Sequence, residues 1–323
     1  MFDPARSHPA DPLLRLIGEY NDDPRDQKVD LGVGVYRDTD GATPVLRAVK
    51  SAEAELLSQQ SSKAYLGTAG SASFNAQMQS LVLGEAQDEE RTFTVQTPGG
   101  SGALRIAAEV LAMSSGESKL WVPDVTWSNH VPLLSVLGTA PKSYPYYDTD
   151  RSTLKAEAML EAMDRIPAGD CIVLHGCCHN PTGQDPDRDL WHQIVDVLAR
   201  RNVTPLFDLA YLGFAADIDQ DAYAIRYAAA HLPEVIVTTS CSKNFGLYRD
   251  RVGALTVITQ DRRTRDSVAS LASAAARTNY SLPPDHGAAV VALILENAGL
   301  KATWLEELDE MRNRIQSMRS MLH

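Results

Sequence analysis

"VIVTTSCSKNFGLYRDRVGALTVIT", residues 235–259, decides the architecture of this chain. Two β-branched runs enclose a polar loop that carries Lys243, Arg249 and Arg251. Strands bounded by Gly and polar clusters have this form. An ordinary surface loop would accept any polar residues. This one sets an amine and two guanidinium groups at the mouth of a strand, next to the small hydroxyl residues Ser240 and Ser242, a combination suited to anions and to amine chemistry.

Working outward, similar short runs recur at Thr92–Gln96, Lys119–Pro123, Cys171–Gly176 and Thr204–Asp208, with amphipathic segments between them. Alternation of this kind predicts βαβ units and a largely parallel sheet. Residues 187–201 place Leu190, Ile194, Val197 and Leu198 on one helical face, with Asp187 or Asp189 to cap the start and Asn202 to end it. From Lys301 onward, Trp304, Leu308, Met311, Ile315, Met318 and Leu322 recur at spacings of three and four, which predicts a long amphipathic helix. The first forty or so residues are rich in Pro and Asp, and "DLGVGVYRDTDG" reads as an extended segment and a turn. The expected organisation is an arm with part of a small domain over 1–45, a large domain over 46–300, and the start of an interdomain helix over 301–323.

The chain has 323 residues and a net charge of -12. That balance argues against a nucleic-acid surface, which needs clustered Lys and Arg on a net basic face. No signal-like apolar core opens the chain and no apolar run is long enough to span a bilayer, so a cytoplasmic location is expected. Cys171, Cys177, Cys178 and Cys241 lie in or beside apolar runs and read as buried free thiols. Cys177, Cys178 and His179 lack a second ligand pair, so no metal is expected.

In open parallel sheets, ligands bind beyond the carboxyl ends of the strands. "TPGGSGALR", residues 97–105, opens with Gly99, Gly100, Ser101 and Gly102 and offers small residues and the free N–H groups of a helix start, either a phosphate site or a Gly-rich turn with no ligand. "DVTWSNH", residues 124–130, holds Trp127, either a stacking ring or a core residue. In "HGCCHNPTG", residues 175–183, Asn180 either offers an amide to a ligand or starts a turn, with a possible cis bond to Pro181. In "LFDLAYLGF", residues 206–214, Asp208 sits inside an apolar strand end and requires a positive partner or a donor, with Tyr211 three residues on. Together with Lys243 these ends describe a phosphate cradle, a stacking ring, a buried carboxylate, a phenol and an amine. Pyridoxal 5'-phosphate needs all five. A simple phosphate or nucleotide binder would use only the Gly-rich turn and leave Lys243, Asp208 and Tyr211 unexplained.

These stretches, with "KAYLGTAG" and "TNYSLPPDHGAAVVA", resemble the class I aspartate and aromatic amino acid aminotransferases of the fold-type I pyridoxal phosphate superfamily. The resemblance implies an α/β fold with a mixed, mostly parallel seven-stranded sheet flanked by helices and an incomplete small domain. It implies that Lys243 bonds to the cofactor and shuttles the substrate proton, that Asp208 pairs with the ring nitrogen, supported by His130 and more distantly His175, and that Asn180 and Tyr211 bind the ring oxygen. Trp127 would stack on the ring, and Gly100, Ser101, Ser240 and Arg251 would hold the phosphate. Tyr65 would reach the phosphate of a second subunit, Arg277 would bind a distal substrate carboxylate across a homodimer interface, and Gly34 would belong to a segment closing over substrate. Amino acids and 2-oxo acids are the implied substrates, with aspartate, and aromatic amino acids beside it, donating to 2-oxoglutarate by a ping-pong route. Asp124-Val125 departs from the family, where proline often follows, and Leu282 stands where Asn is frequent. The family pattern continues past His323, so a chain truncated at its C-terminus is expected, with a cofactor-binding dimeric remnant as the alternative to a working enzyme.

Overall fold

The computed structural model describes residues 12–30, 32, 34–115, 118–135 and 140–322. Met1–Pro44 forms one compact unit and Val45–His323 a second. In the first, a helix over Pro12–Asp22 is followed by a segment tied back by Lys28, whose Nζ donates to the carbonyls of Tyr20 (2.6 Å) and Asp23 (2.8 Å). The expected turn after "GVY" forms at Asp38–Ala42, closed by the Ala42 carbonyl accepting from Asp38 N–H at 2.8 Å. Leu31 and Val33 of that stretch, like the start of the arm, lie outside the described residues.

Among the described residues the second unit has nine strands: β1 Thr92–Pro98, β2 Leu120–Pro123, β3 Lys142–Tyr144, β4 Tyr147–Asp148, β5 Thr153–Leu154, β6 Cys171–His175, β7 Thr204–Leu209, β8 Val235–Ser240 and β9 Val252–Ile258. Seven form one sheet in the order β1-β9-β8-β7-β6-β2-β3, and β4 and β5 make a separate hairpin. The pairs β2·β3, β2·β6, β6·β7 and β7·β8 are parallel, whereas β9 runs antiparallel to both its neighbours. Every residue of β6, β8 and β9 is buried. Helices cover both faces of the sheet, which is why these strands read as continuous apolar runs rather than alternating ones. All six runs read from sequence are strands; β3 was missed because it has three residues, two of them exposed, and shows no periodicity.

The helix after β6 spans Arg188–Arg201. Asp187 is the cap, accepting from Leu190 N–H at 2.8 Å, and Asn202 ends the helix in the left-handed conformation at φ 54°. Leu190, Ile194, Val197 and Leu198 are buried as the spacing predicts, each contributing about 1.5–3 kcal/mol of apolar transfer.

The C-terminal helix spans Ala298–Leu322. Its apolar face is buried only in the first half, at Trp304, Leu308 and Met311, while Met318 is 37% and Leu322 85% exposed. Its Glu307 does a job the periodicity did not show. The helix Arg47–Gln59 follows Leu46, which has no capping side chain, and Glu307 accepts instead from the first two N–H groups, Arg47 at 2.6 Å and Ala48 at 3.0 Å. Because Glu307 is buried, Glu307→Ala is expected to cost about 2 kcal/mol. The urea midpoint measures this, and Glu307→Gln, which retains an acceptor, should keep most of the stability.

Candidate active site

Since β9 is antiparallel to β8 and to β1, the carboxyl ends of β1, β2, β6, β7 and β8 and the beginning of β9 share one sheet edge. The register sets Pro98 opposite Val252 and Ser240 opposite Gly253. Three segments distant in sequence meet there: the start of the helix Gly99–Ser115, the end of β8, and Arg251 just before β9. A Cβ on Gly99, where φ is +72°, would sit 2.6 Å from Nη2 of Arg251, and one on Gly100 would sit 3.1 Å from Cβ of Ser240. Gly99 therefore satisfies both a left-handed backbone and a close approach. Arg251 is oriented by its Nη1 donating to Ser242 Oγ at 3.3 Å and to the Tyr248 carbonyl at 3.1 Å. The first helical turn at Gly100 and Ser101, the Ser240 hydroxyl and the Arg251 guanidinium lie at this sheet end, and their chemistry suits a dianion.

Across this edge lies Asp208, 8% exposed at the end of β7. Its Oδ2 is 2.9 Å from His130 Nε2 and its Oδ1 accepts from Thr238 Oγ1 at 3.3 Å. A carboxylate only accepts, so His130 donates from Nε2; in the tautomer that leaves Nδ1 without a proton, Nδ1 accepts from Thr126 Oγ1, 2.7 Å away. Thr126 thus gives its proton to His130 and accepts from His175 Nε2 at 3.1 Å, while His175 Nδ1 accepts from the Asn180 backbone N–H at 3.4 Å. The hydrogen bonds run in one direction, from Asn180 through His175, Thr126 and His130 to Asp208. Burial holds His175 well below the ordinary histidine range, and burial, with His130 adding, pushes His179 behind it down to about 4. The wire restricts the Asp208 carboxylate to one orientation.

Thr126 and Thr238 were not foreseen. Thr126 stands four residues before His130, and Thr238 is the register partner of Asp208 across β7 and β8, but neither spacing has meaning until the strands pair.

Lys243 follows β8, and its Nζ lies 5.2 Å from the centre of the Tyr211 ring. Burial lowers the Lys243 pKa; the Asp208 charge opposes this and the Arg251 charge assists it. A greater share of the amine is therefore neutral, and nucleophilic, at a given pH than for a lysine in water. Burial raises the Tyr211 pKa, with Asp208 adding, so its phenol keeps its proton. Trp127 is half-buried: it packs on the hydrophobic cluster under the sheet and meets His130 edge-on at 5.4 Å. Among the described residues the cis peptide is Asn180-Pro181, and Asp124-Val125 is not cis. The four cysteines are free; Cys178 is partly exposed, a departure from the expected burial of all four. No cluster of three or more His, Cys, Asp or Glu suited to a metal occurs among the described residues.

Three further residues were expected at the site. Tyr65 is 91% exposed in the segment before the helix Ala72–Leu83. Arg277 is exposed in the last turn of the helix Arg262–Asn279, where it donates to Ser281 Oγ at 2.5 Å. Gly34 belongs to the first unit, with open space around its Cα.

The family model for aminotransferases of class I and II matches residues 26–323. The chain belongs to that family. The aminotransferase is 48% identical over 314 residues to an aromatic-amino-acid aminotransferase of Pseudomonas aeruginosa, covering 96% of this chain and 78% of the relative. It is 44% identical to an aspartate aminotransferase of Escherichia coli, covering 99% of this chain and 82% of the relative. The solved structure of an aromatic-amino-acid aminotransferase from Burkholderia pseudomallei, covalently bound to pyridoxal phosphate, superposes with a TM-score of 0.96 at 41% identity, over 99% of this chain and 81% of that one. The cofactor of the aminotransferase is pyridoxal 5'-phosphate. The residues present fit it: the glycine and arginine cradle suits a phosphate, the buried Asp208 needs a cationic partner on its open side, and Lys243 is partly desolvated. Relatives named as enzymes over this length favour a working transferase over a cofactor-binding remnant.

Proposed function

We propose that this enzyme transfers the amino group of aspartate or of an aromatic amino acid to 2-oxoglutarate by a ping-pong route. The observation that carries the reading is the placement of the Lys243 amine over Tyr211, within electrostatic reach of Asp208 and beside Arg251. When bound, pyridoxal 5'-phosphate supplies an electron sink for the pair left when the substrate Cα loses its proton. In this reading Asp208, held by His130 and Thr238, keeps the ring nitrogen protonated, with His175 supporting His130 through Thr126. Gly100, Ser101, Ser240 and Arg251 anchor the phosphate, Asn180 and Tyr211 hydrogen-bond the ring oxygen, and Trp127 packs on the ring face. Lys243 moves the proton from Cα once substrate has released its amine.

We further propose a homodimer in which Tyr65 and Arg277 of one copy serve the site of the other, Tyr65 at the phosphate and Arg277 at the distal carboxylate. What supports this is their exposure: two residues typical of recognition, both open to solvent in their own chain. Gly34 would lie in the segment that closes over substrate. Four free thiols accord with a cytoplasmic enzyme. Among the described residues no single helix is long and apolar enough to cross a membrane.

The test is production of glutamate from 2-oxoglutarate, with aspartate, phenylalanine or tyrosine as donor. Parallel double-reciprocal lines are expected, and the absence of glutamate with every donor would sink the reading. Removing a bidentate partner of a carboxylate costs about 1.5–3 kcal/mol, so Arg277→Ala should raise KM for aspartate at least tenfold and change that for phenylalanine far less. Equal loss for both donors would remove Arg277 from the distal-carboxylate role.

A further inference from the structure

The helix Ala298–Leu322 touches both loops that meet at the site. Trp304, fully buried, donates its indole N–H to the carbonyl of Asn244, the residue after Lys243, at 2.7 Å. The same indole stacks flat on Phe245, with ring centres 4.4 Å apart and planes 3° from parallel. One turn on, Leu308 fills the space over Gly213, where any Cβ would collide with its Cδ2. After another turn Arg312 donates to the Gly213 carbonyl at 2.9 Å, and after one more Gln316 donates to the Ala215 carbonyl at 3.1 Å. Gly213, at φ +93°, stands two residues beyond Tyr211, and the other side of its loop is held by the buried Asp221 carboxylate, which accepts from the N–H groups of Gly213, Ala215 and Ala216 at 2.8, 3.0 and 2.9 Å.

Residues 304, 308, 312 and 316 are four apart and so occupy one stripe of the helix. A single rigid rod therefore grips the Lys243 loop at one point and the Tyr211 loop at the next. We propose that this stripe is a positioning device, in which Trp304 and Arg312 set the Lys243 amine against the Tyr211 ring from behind, without contact to substrate or cofactor. The inference deepens the aminotransferase reading and rests on it for its consequence in turnover. Proton transfer from a substrate carbon is sensitive to small displacements of the acceptor, since a misplacement of about 1 Å can cost roughly 10²-fold.

Two variants test it. Trp304→Phe keeps a ring on Phe245 and removes the donor to Asn244. Arg312→Leu keeps aliphatic packing and removes the donor to Gly213, and Arg312→Lys restores a donor. Each is examined in two ways: steady-state aminotransfer, and the pH profile of Lys243 labelling by formaldehyde and cyanoborohydride in the cofactor-free chain, read by peptide mapping. For Trp304→Phe and Arg312→Leu, kcat is expected to fall roughly 10- to 100-fold with KM within about twofold, and the labelling midpoint of Lys243 to move up toward that of an ordinary lysine as the loop loosens into water. Arg312→Lys should recover most of both losses. A labelling midpoint that stays put in folded variants overturns the proposal, whatever happens to kcat or thermal stability. Should Trp304→Phe fail to fold, Arg312→Leu decides alone. Should the unmodified chain form no glutamate, the functional reading fails, while the labelling profiles still decide whether the helix sets the amine.

Discussion

Replacing Lys243 with alanine is expected to lower aminotransfer by a factor on the order of 10⁴. In the proposed function the amine has two duties at one atom: it holds the cofactor until substrate arrives and then receives the Cα proton. Nothing else in the site has the chemistry to substitute: Tyr211 is held protonated by burial, and Arg251 is a permanent cation committed to Ser242 and the Tyr248 carbonyl. Lys243→Arg should be equally inactive, because a guanidinium keeps the charge but cannot lose its proton near neutral pH. Glutamate formation measures the loss. In addition, borohydride should fix the cofactor covalently to the unmodified chain and not to Lys243→Ala. Retention of a tenth of the activity in Lys243→Ala would show that another group moves the proton.

Asp208→Asn is the second large loss expected, about three decades in kcat. The amide matches the carboxylate in shape and can accept from His130 or Thr238, so the strand end should survive. What disappears is the negative charge. A close ion pair at an effective dielectric constant near 20 is worth about 4 kcal/mol, which is about a thousandfold in rate. Circular dichroism checks that Asp208→Asn is folded, and kcat measured with saturating cofactor gives the effect. Asp208→Glu keeps the charge on a longer arm and should lose less. Equal activities for Asn and Asp at this position would mean that the carboxylate charge plays no part in proton removal.

The candidate site was largely legible from local signals. Each strand end carries a residue suited to the proposed chemistry next to a β-branched run, so Lys243, Asp208, Asn180, Trp127 and the Gly99–Gly102 turn could be singled out by reading one run at a time. The wire behind Asp208 could not. Thr126 and His175 are 49 residues apart, His130 and Asp208 are 78, and their hydrogen bonds exist only because β2, β6 and β7 are neighbours in the sheet. The same limit applies to the C-terminal helix, whose periodicity marks Trp304 and Leu308 as buried but says nothing of which loops they touch. Glu307 runs against its own pattern, as a buried charge is costly unless it is met, and here the free N–H groups of a helix start some 260 residues earlier meet it.

By itself, then, the order of residues determined which segments become strands, where small residues open a helix for an anion, and which side chains have the chemistry to carry a proton. Those are properties of short stretches, governed by periodicity, backbone freedom and functional-group type. Only the tertiary structure decided that the sheet's lone antiparallel strand brings Arg251 to the edge occupied by the other strand ends, that Asp208 is held by His130 and Thr238, and that a distant helix holds two loops at once. These depend on strand order and on burial, and burial sets the cost of each charge through neighbours that no local pattern identifies.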